Sequence, residues 1–331
     1  MNSFGHLFRI SLFGESHGER MGVIVDGCPA GLPLSTDDFL HDLHRRQSGF
    51  RGTTARAEAD IPHLSGGVYN GHTTGAPVAI LFDNDDTRAD DYAAFRDTPR
   101  PGHADFTATR KWNGFNDLRG GGHLSGRLTV LLVAAGVVAK KILTPVVITA
   151  ELEEAGGQIT IADAIDQAIA AGDSIGGIIR CTARRMPIGW GEPFFHSVES
   201  HISRLAFAIP GVNGIEFGDG FAATQRRGST RNDCFVAADG TTTTNNAGGI
   251  NGGITSGNDL YFRISVKPAA SIARPQRSLN MTTGQMTDLL IPGRHDACFA
   301  LRLPVVVEAI TAIALADFGH FSVDSNSQQQ G

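Results

Sequence analysis

Residues 120–143 read GGGHLSGRLTVLLVAAGVVAKKIL, and they carry the clearest structural signal in the chain. The run 128–139 is almost entirely apolar, and Ser125 stands where it can cap the start of a helix. Lys140 and Lys141 fall in the last turns, where positive charge is favourable beside the helix dipole. About twelve apolar residues are too few to cross a bilayer, which takes ~20. We therefore predict a helix buried in the protein core.

Segments in which apolar and polar residues alternate flank this helix and predict β-strands, at 8–12, 22–26, 76–82 and 260–266. Helical periodicity with a suitable first residue predicts helices at 35–46 behind Ser35, 160–171, 197–208 behind Ser197 and 304–318 with Pro304 first. Because alternating strands keep one face polar, we expect antiparallel pairing rather than a doubly wound parallel sheet. The sequence thus predicts one α/β sandwich domain over 1–321 and a flexible Ser/Gln-rich tail at 322–331.

Composition and charge limit the partners of the chain. Its 331 residues are 41% hydrophobic and 19% charged, which is typical of a globular protein. A net charge of -6 gives no overall positive field for nucleic acid or an anionic membrane, so we expect neither as a partner. The four cysteines form no Cys-x-x-Cys pair, and the first fifteen residues do not read as an export signal. We therefore expect a cytoplasmic protein without a metal centre.

Arginine and glycine are unusually frequent. Of 28 basic residues only 4 are lysine, leaving 28 - 4 = 24 arginines, whose planar guanidinium binds carboxylate and phosphate in a bidentate manner. Codon preference explains such a count equally well, so the positions of the arginines must decide. The 41 glycines predict many sharp turns and close backbone approaches.

Signatures of several common enzyme classes do not occur: the P-loop, the Rossmann fingerprint, His-Glu-x-x-His and Gly-x-Ser-x-Gly. The chain instead has loops that combine glycine with histidine, arginine or asparagine, at 14–18, 45–56, 100–105, 119–127, 225–231, 244–257 and 293–296. Such loops can present side chains to a ligand. Taken singly, each is equally compatible with an ordinary turn.

Two of these loops suggest a specific kind of contact. Glycines that lead into a helix, as at 120–127, expose N–H groups with the positive end of the dipole behind them, which suits phosphate. The alternative there is a structural turn with a Ser cap. The stretch 244–257 contains Ile250 and Ile254, which a flexible spacer does not need. We predict that its backbone packs closely on a flat ring or a phosphate.

In this order, the loops resemble the chorismate synthase family over nearly the whole chain. The resemblance rests on Gly-Glu-Ser-His-Gly at 14–18, Arg-Pro-Gly-His-Ala-Asp at 100–105, Gly-Gly-Ile-Asn-Gly-Gly at 248–253 and Gly-Arg-His-Asp at 293–296. It implies a lyase that converts 5-enolpyruvylshikimate 3-phosphate to chorismate and phosphate by 1,4-anti elimination, in the shikimate pathway of aromatic amino acid biosynthesis. It also implies a homotetramer whose subunits hold helices sandwiched between antiparallel β-sheets.

The resemblance implies reduced FMN as cofactor, although the reaction has no net redox change. An external donor would reduce the flavin, and NADP is a nucleotide associated with this activity. Flavin contacts are implied for Ser125, Asn246, Ala247, Gly248, Gly249, Lys267, Ser271 and Arg294.

Substrate and catalytic residues follow from the same resemblance. Two carboxylates and a phosphate require several guanidinium groups in a site that excludes water. The implied set is Arg46, Arg51, Arg100, Arg127 and Arg294. His17 corresponds to the histidine near the departing phosphate, His103 to the one beside the flavin ring, and Asp296 to the aspartate that assists proton transfer.

The chain departs from the family pattern at four positions. His123 and Asn213 stand where Arg and Lys are usual, while Leu128 and Leu132 replace a Glu and an Arg that lie four apart on one helix face. Loss of both partners of an ion pair is better tolerated than loss of one. Loss of the Arg and the Lys could weaken flavin or substrate binding.

Two other hypotheses are therefore open. One is a degenerate family member that binds flavin without turnover. The other is a metal-dependent phosphoesterase, although its candidate ligands lack metal-site spacing on a shared element. Those candidates are Glu15, His17, His103, Asp105 and Asp296.

Overall fold

The computed structural model describes residues 1–55, 58–85, 95–291, 293 and 295–319 of the chain. Within these ranges the strands are β1 Ser3–Phe4, β2 Arg9–Gly14, β3 Arg20–Asp26, β4 His63–Gly66, β5 Val68–Tyr69, β6 His72–Thr73, β7 Val78–Asp83, β8 Val147–Ala155, β9 Gly177–Arg184, β10 Val212–Phe217, β11 Ile250–Asn251, β12 Ile254–Thr255, β13 Leu260–Val266, β14 Gln276–Leu279 and β15 Met286–Leu289. The helices are α1 Asp37–Arg46, α2 Asp105–Lys111, α3 Thr129–Ile142, α4 Ile161–Ala171, α5 Val198–Ala206, α6 Gly228–Arg231 and α7 Pro304–Ala316.

Two antiparallel sheets enclose the central helices. The first sheet has the strand order β1-β2-β3-β7-β4, and the second has the order β10-β13-β9-β8. Helix α3 packs against β3, α7 packs against β8 and β9, and the two helices pack on each other. The predicted α/β fold, with helices sandwiched between antiparallel sheets, is confirmed.

Helices α3 and α7 are buried on almost every side, as their near-uniform apolar sequences require. They approach most closely at Gly136, where an added Cβ would stand 2.4 Å from Cβ of Ala309. Glycine is therefore needed at this crossing because any side chain would force the helices apart.

Most predicted elements occur close to their expected bounds. Ser197 caps α5 by accepting the N–H of Ser200 at 3.1 Å, and Pro304 opens α7. Helix α1 begins at Asp37, two residues after Ser35. The carboxylate of Asp38 accepts the backbone N–H of Ser35 at 2.8 Å, so the local signal for a helix start is real.

Three strands of the second sheet and helix α2 are not predicted by the sequence patterns. Strand β8 contains Ala and Glu, which are depleted in strands, and β9 and β10 contain Gly and Arg or Asn. Among the described residues, no helix is long and apolar enough to cross a membrane. The predicted tail at 322–331 lies outside the described residues, so its flexibility is a prediction.

Candidate active site

A cavity of about 1070 Å³ lies where the loops ahead of α3 and α7 meet β1 and the chain that follows β13. This volume is at the upper end for pockets that hold one drug-sized ligand. The cavity brings together side chains from distant parts of the sequence. Those assigned by resemblance that line it are His17, Arg46, Arg100, His103, Ser125, Arg127, Lys267, Ser271 and Asp296.

Three successive glycines shape the cavity wall beside His17. Gly120, Gly121 and Gly122 have φ of +58°, +84° and +54°, a left-handed conformation that other residues rarely adopt. A Cβ on Gly120 would stand 2.3 Å from Cε1 of His17, so the backbone lies directly on the imidazole. His17 is 7% exposed, and its Nδ1 lies 3.2 Å from Oγ of Ser16. The loop therefore holds the His17 ring in one position.

The same loop differs from the prediction that its glycines leave N–H groups open to an anion. The N–H groups of Gly121, Ser125 and Arg127 are bonded within the loop, at 3.1, 3.4 and 3.3 Å. Ser125 does cap a helix, but the capped turn is the short 126–128 segment, because α3 itself begins at Thr129. Positive charge at this wall therefore comes from side chains rather than from these three N–H groups.

Arg46 and Arg127 share one buried carboxylate, that of Asp60. Nη2 of Arg46 donates to Asp60 at 2.8 Å, and Nη1 of Arg127 donates to its other oxygen. Burial would raise the pKa of Asp60, but the two guanidinium groups outweigh burial and hold that pKa below its usual value. Asp60 also adopts φ of +52°, a strained conformation for a non-glycine residue. The carboxylate therefore fixes both guanidinium groups beside the cavity.

A second buried carboxylate organises Arg100 and His103. Asp105 accepts Nε and Nη2 of Arg100, both at 2.8 Å, and lies 2.7 Å from Nδ1 of His103. Nη1 of Arg100 donates to Ser271 at 3.2 Å, and its guanidinium lies 4.5 Å from the centre of the Phe95 ring. Burial would raise the pKa of Asp105, but hydrogen bonds from Arg100 and His103 pull it well below its usual range. The carboxylate stays ionised and sets the direction of both side chains.

Lys267 and Asp296 complete the polar lining on the side of α7. Nζ of Lys267 donates to the carbonyl of Gly102 at 2.5 Å, which ties the end of β13 to the loop that carries His103. Asp296 accepts the N–H of Thr54 at 2.8 Å. The two residues therefore join separate loops at the rim of the cavity.

Several assigned residues do not line the cavity within one chain. Arg51 is exposed, because Asp166 holds its Nε at 2.6 Å on the surface. Asn246 and Ala247 donate their N–H groups to Asp233, at 2.8 and 2.9 Å. The close approach predicted for 248–249 is to other backbone of the same chain: a Cβ on Gly248 would stand 2.5 Å from N of Gly218, and one on Gly249 2.5 Å from O of Asp259. Arg294 lies outside the described residues.

The sequence patterns missed Asp60 and gave Asp105 only as a possible metal ligand. Asp105 lies in the same loop as Arg100 and His103, and a buried carboxylate is the usual partner for a buried guanidinium, so it could have been found there. No spacing marks Asp60, which lies 14 residues from Arg46 and 67 from Arg127. Chain that no motif marked also lines the cavity, including β1 at the N-terminus and the segment 204–212 after α5.

Comparisons with known proteins show the family of the chain. A family model described as "Chorismate synthase" matches residues 8–319. The chain belongs to the chorismate synthase family. A chorismate synthase of Chitinophaga pinensis is 56% identical over 319 residues, covering 96% of each chain. One of Dehalococcoides mccartyi is 42% identical over 348 residues, covering 96% of each, and one of Korarchaeum cryptofilum is 40% identical over 346 residues, covering 95% of this chain and 96% of its own.

A solved structure titled "Crystal Structure of Chorismate Synthase" matches with a TM-score of 0.72 at 24% identity, over 95% of this chain and 92% of that one. At this identity the likeness shows the shared fold. Membership of the chorismate synthase family makes the chain an enzyme, a carbon–oxygen lyase of aromatic amino acid biosynthesis that forms chorismate from a small-molecule substrate.

The departures from the chorismate synthase pattern have clear places in the structure. Leu128 and Leu132 are 6% and 4% exposed and both line the cavity, so the two leucines give this part of its wall an apolar surface. His123 also lines the cavity, with Nδ1 2.7 Å from the carbonyl of Gly14. Asn213 is exposed and accepts Oγ of Ser265 at 2.8 Å. The two leucines and His123 therefore alter the cavity wall itself.

Proposed function

We propose that this enzyme converts 5-enolpyruvylshikimate 3-phosphate to chorismate and phosphate by a 1,4-anti elimination that depends on reduced FMN. One observation carries the proposal: Arg46, Arg100, Arg127, His17 and His103 converge on one cavity in a chain whose net charge is -6. A substrate with two carboxylates and a phosphate needs such a concentration of positive charge.

The substrate arginines are held by carboxylates rather than left mobile. Asp60 and Asp105 are 4% and 2% exposed, and between them they bind three guanidinium groups. Guanidinium groups fixed in advance stabilise developing charge without reorganising during the reaction. These three guanidinium groups are the proposed partners of the substrate oxygens.

The residues present also fit FMN. The ligand combines a flat ring with a phosphate, and the cavity has room for it beside a small substrate. Ser125, Lys267 and Ser271 offer hydroxyl and ammonium donors. His103 lies with its Nδ1 3.1 Å from Nη2 of Arg100, in the loop that Lys267 contacts at Gly102. Reduced FMN, when bound, would supply the transient electron density that an unactivated C–H bond requires.

Three side chains have proposed roles in moving or holding protons. His17, fixed by Gly120, donates a hydrogen bond or proton as negative charge develops on the departing phosphate. His103, whose Nδ1 faces Asp105, donates from Nε2 to the anionic ring of the cofactor when its imidazole is protonated. Asp296, which lines the cavity, assists the transfer of the proton that leaves the substrate carbon.

The assembly and supply of the cofactor are part of the same proposal. Since Asn246–Gly249 do not line the cavity of their own chain, their assignment to the flavin requires a second copy, which the homotetramer implied by the family resemblance would provide. We further propose that an external donor, with NADP as its associated nucleotide, reduces the flavin in the cytoplasm.

The test is phosphate release from 5-enolpyruvylshikimate 3-phosphate under anaerobic conditions. We expect release only when FMN is present and kept reduced, and we expect His103→Ala to lower kcat by about 100-fold or more. Release at the same rate without flavin, or its loss on adding a chelator, would overturn the proposal. Tight flavin binding with no release would instead support a degenerate member of the family.

A further inference from the structure

Three histidines lie together at a place separate from the cavity. They are His6, between β1 and β2; His196, in the short turn that precedes α5; and His201, in α5. One ring nitrogen from each lies within 4.8 Å of the others, and the ring centres are 4.8, 5.3 and 6.1 Å apart. We propose that these three histidines bind a divalent transition-metal ion, for which Zn²⁺ is the best chemical fit.

The distances are compatible with a three-histidine site. Three atoms no more than 4.8 Å apart lie within about 2.8 Å of a common point, whereas a Zn–N bond is about 2.0–2.1 Å. Closing the gap therefore requires shifts of roughly 0.7 Å. His6 and His196 are exposed and free to make such shifts, while His201 is 5% exposed and fixed. Three imidazoles leave a fourth position for water.

A buried carboxylate already orients two of the three rings. Asp317 lies 3.3 Å from Nδ1 of His6 and 3.1 Å from Nε2 of His201. In either neutral tautomer of a histidine, one of the two ring nitrogens carries a lone pair that can bind a metal. Carboxylates that accept the second N–H of a ligating histidine are a regular feature of metal sites.

Asp317 is itself held rigidly. One of its oxygens accepts the backbone N–H groups of His6, Leu7 and Phe8 at 2.6, 2.7 and 3.0 Å. The carboxylate is therefore fixed in place beside the three histidines.

The proposed site is structural and does not depend on the reaction assigned above. A metal would join the N-terminal segment to α5 and to the end of α7, where Asp317 lies. Phe4 of β1 packs edge-on against His201, with ring centres 5.5 Å apart, and also lines the active-site cavity. Metal binding would thus fix the position of the N-terminal strand that forms part of the cavity wall.

The test is a Zn²⁺ titration of the untagged, full-length protein after removal of metal, followed by calorimetry and thermal unfolding. We expect one equivalent to bind per chain and to raise Tm by several degrees. His196→Ala removes an exposed ligand and should weaken Zn²⁺ binding at least tenfold and abolish most of the Tm rise. His44→Ala, an exposed histidine in α1 whose ring lies beside Gln47, is the matched control and should bind as the wild type does.

Two results would overturn the proposal. One is binding well below one equivalent per chain in the wild type. The other is unchanged Zn²⁺ affinity in both His196→Ala and His6→Ala, which would place the ion elsewhere. Co²⁺ in place of Zn²⁺ gives an independent reading, since visible absorption bands of a low-coordinate ion should appear in the wild type and be lost in His196→Ala.

Discussion

Replacement of Asp105 by Asn tests whether one carboxylate positions both Arg100 and His103. Asp105 is 2% exposed and accepts three hydrogen bonds from Arg100 and one from His103, at 2.7–3.1 Å. An amide of the same size keeps the packing, but it loses the charge and one acceptor. Arg100 then keeps Ser271 and the Phe95 ring as neighbours, without the group that fixes its direction.

The size of the effect follows from these contacts. Removing one partner of a buried ion pair costs about 3–5 kcal/mol, and the retained amide oxygen places Asp105→Asn at the lower end, ~3 kcal/mol. For a chain of 331 residues, this corresponds to a decrease in Tm of about 4 °C. Loss of the fixed His103 direction should lower kcat by about 100-fold, the lower end of what one positioned group contributes.

The assay compares Asp105→Asn with Asp42→Asn by thermal unfolding and by anaerobic phosphate release. Asp42 is 8% exposed and accepts Nζ of Lys140 at 2.7 Å, but it does not line the cavity. We expect both variants to lose stability and only Asp105→Asn to lose kcat. An unchanged kcat in Asp105→Asn, or an equal loss in Asp42→Asn at a temperature where both are folded, would refute the positioning role.

Three further predictions follow from the structure. Gly120→Ala places a Cβ 2.3 Å from Cε1 of His17 and should reduce kcat at least about tenfold. The control, Gly114→Ala, has φ of +80° and nothing within 4 Å of its Cβ, so it should show only backbone strain of about 1 kcal/mol and a normal kcat. Equal kcat values in the two variants would contradict the contact between Gly120 and His17. Gly136→Ala should lower the free energy of unfolding, measured by urea denaturation, by about 1–3 kcal/mol because the added Cβ would stand 2.4 Å from Cβ of Ala309. This loss should exceed the gain from the better helix propensity of alanine. A gain in stability would show that α3 and α7 separate freely. The pKa values of Asp60 and Asp105 are lower in the folded protein than in the unfolded chain, so both carboxylates stabilise the protein above about pH 4. This stabilisation is lost as the pH falls through the folded pKa values, so Tm should decrease below about pH 4. The decrease in Tm should be less steep in Asp105→Asn than in the wild type.

Strong local signals in the sequence mark the central elements of the fold. The apolar run 128–139, Pro304 and the alternation at 260–266 each correspond to an observed element. Strand β8 was missed because its Glu and Ala residues face outward or lie against α7, and only the completed sheet makes that segment a strand. The observed start of a helix differs from the predicted one where a turn intervenes. Ser125 caps the short turn 126–128, and α3 begins only at Thr129.

The candidate site was predictable in its cationic residues and not in what holds them. Histidine and arginine beside glycine are visible as motifs, and Asp105 lies in the same motif as Arg100 and His103. Asp60, by contrast, reaches Arg46 and Arg127 through contacts that only the fold creates. Residues 246–249 give the opposite case, in which a visible motif suggests the wrong neighbour within the chain. The glycines suggest a contact with a ligand, but within one chain Gly248 and Gly249 lie against the backbone of Gly218 and Asp259. A glycine pattern alone does not distinguish a ligand from neighbouring chain.

We propose that one cavity binds an anionic substrate against a flavin. A crystal structure of the protein with 5-enolpyruvylshikimate 3-phosphate and oxidised FMN is the most direct test. We expect the substrate phosphate and carboxylates to lie within hydrogen-bond distance of His17, Arg100 or Arg127. We expect the flavin ring to lie beside His103 and Lys267. Substrate or flavin bound at a place that none of these side chains reaches would contradict it.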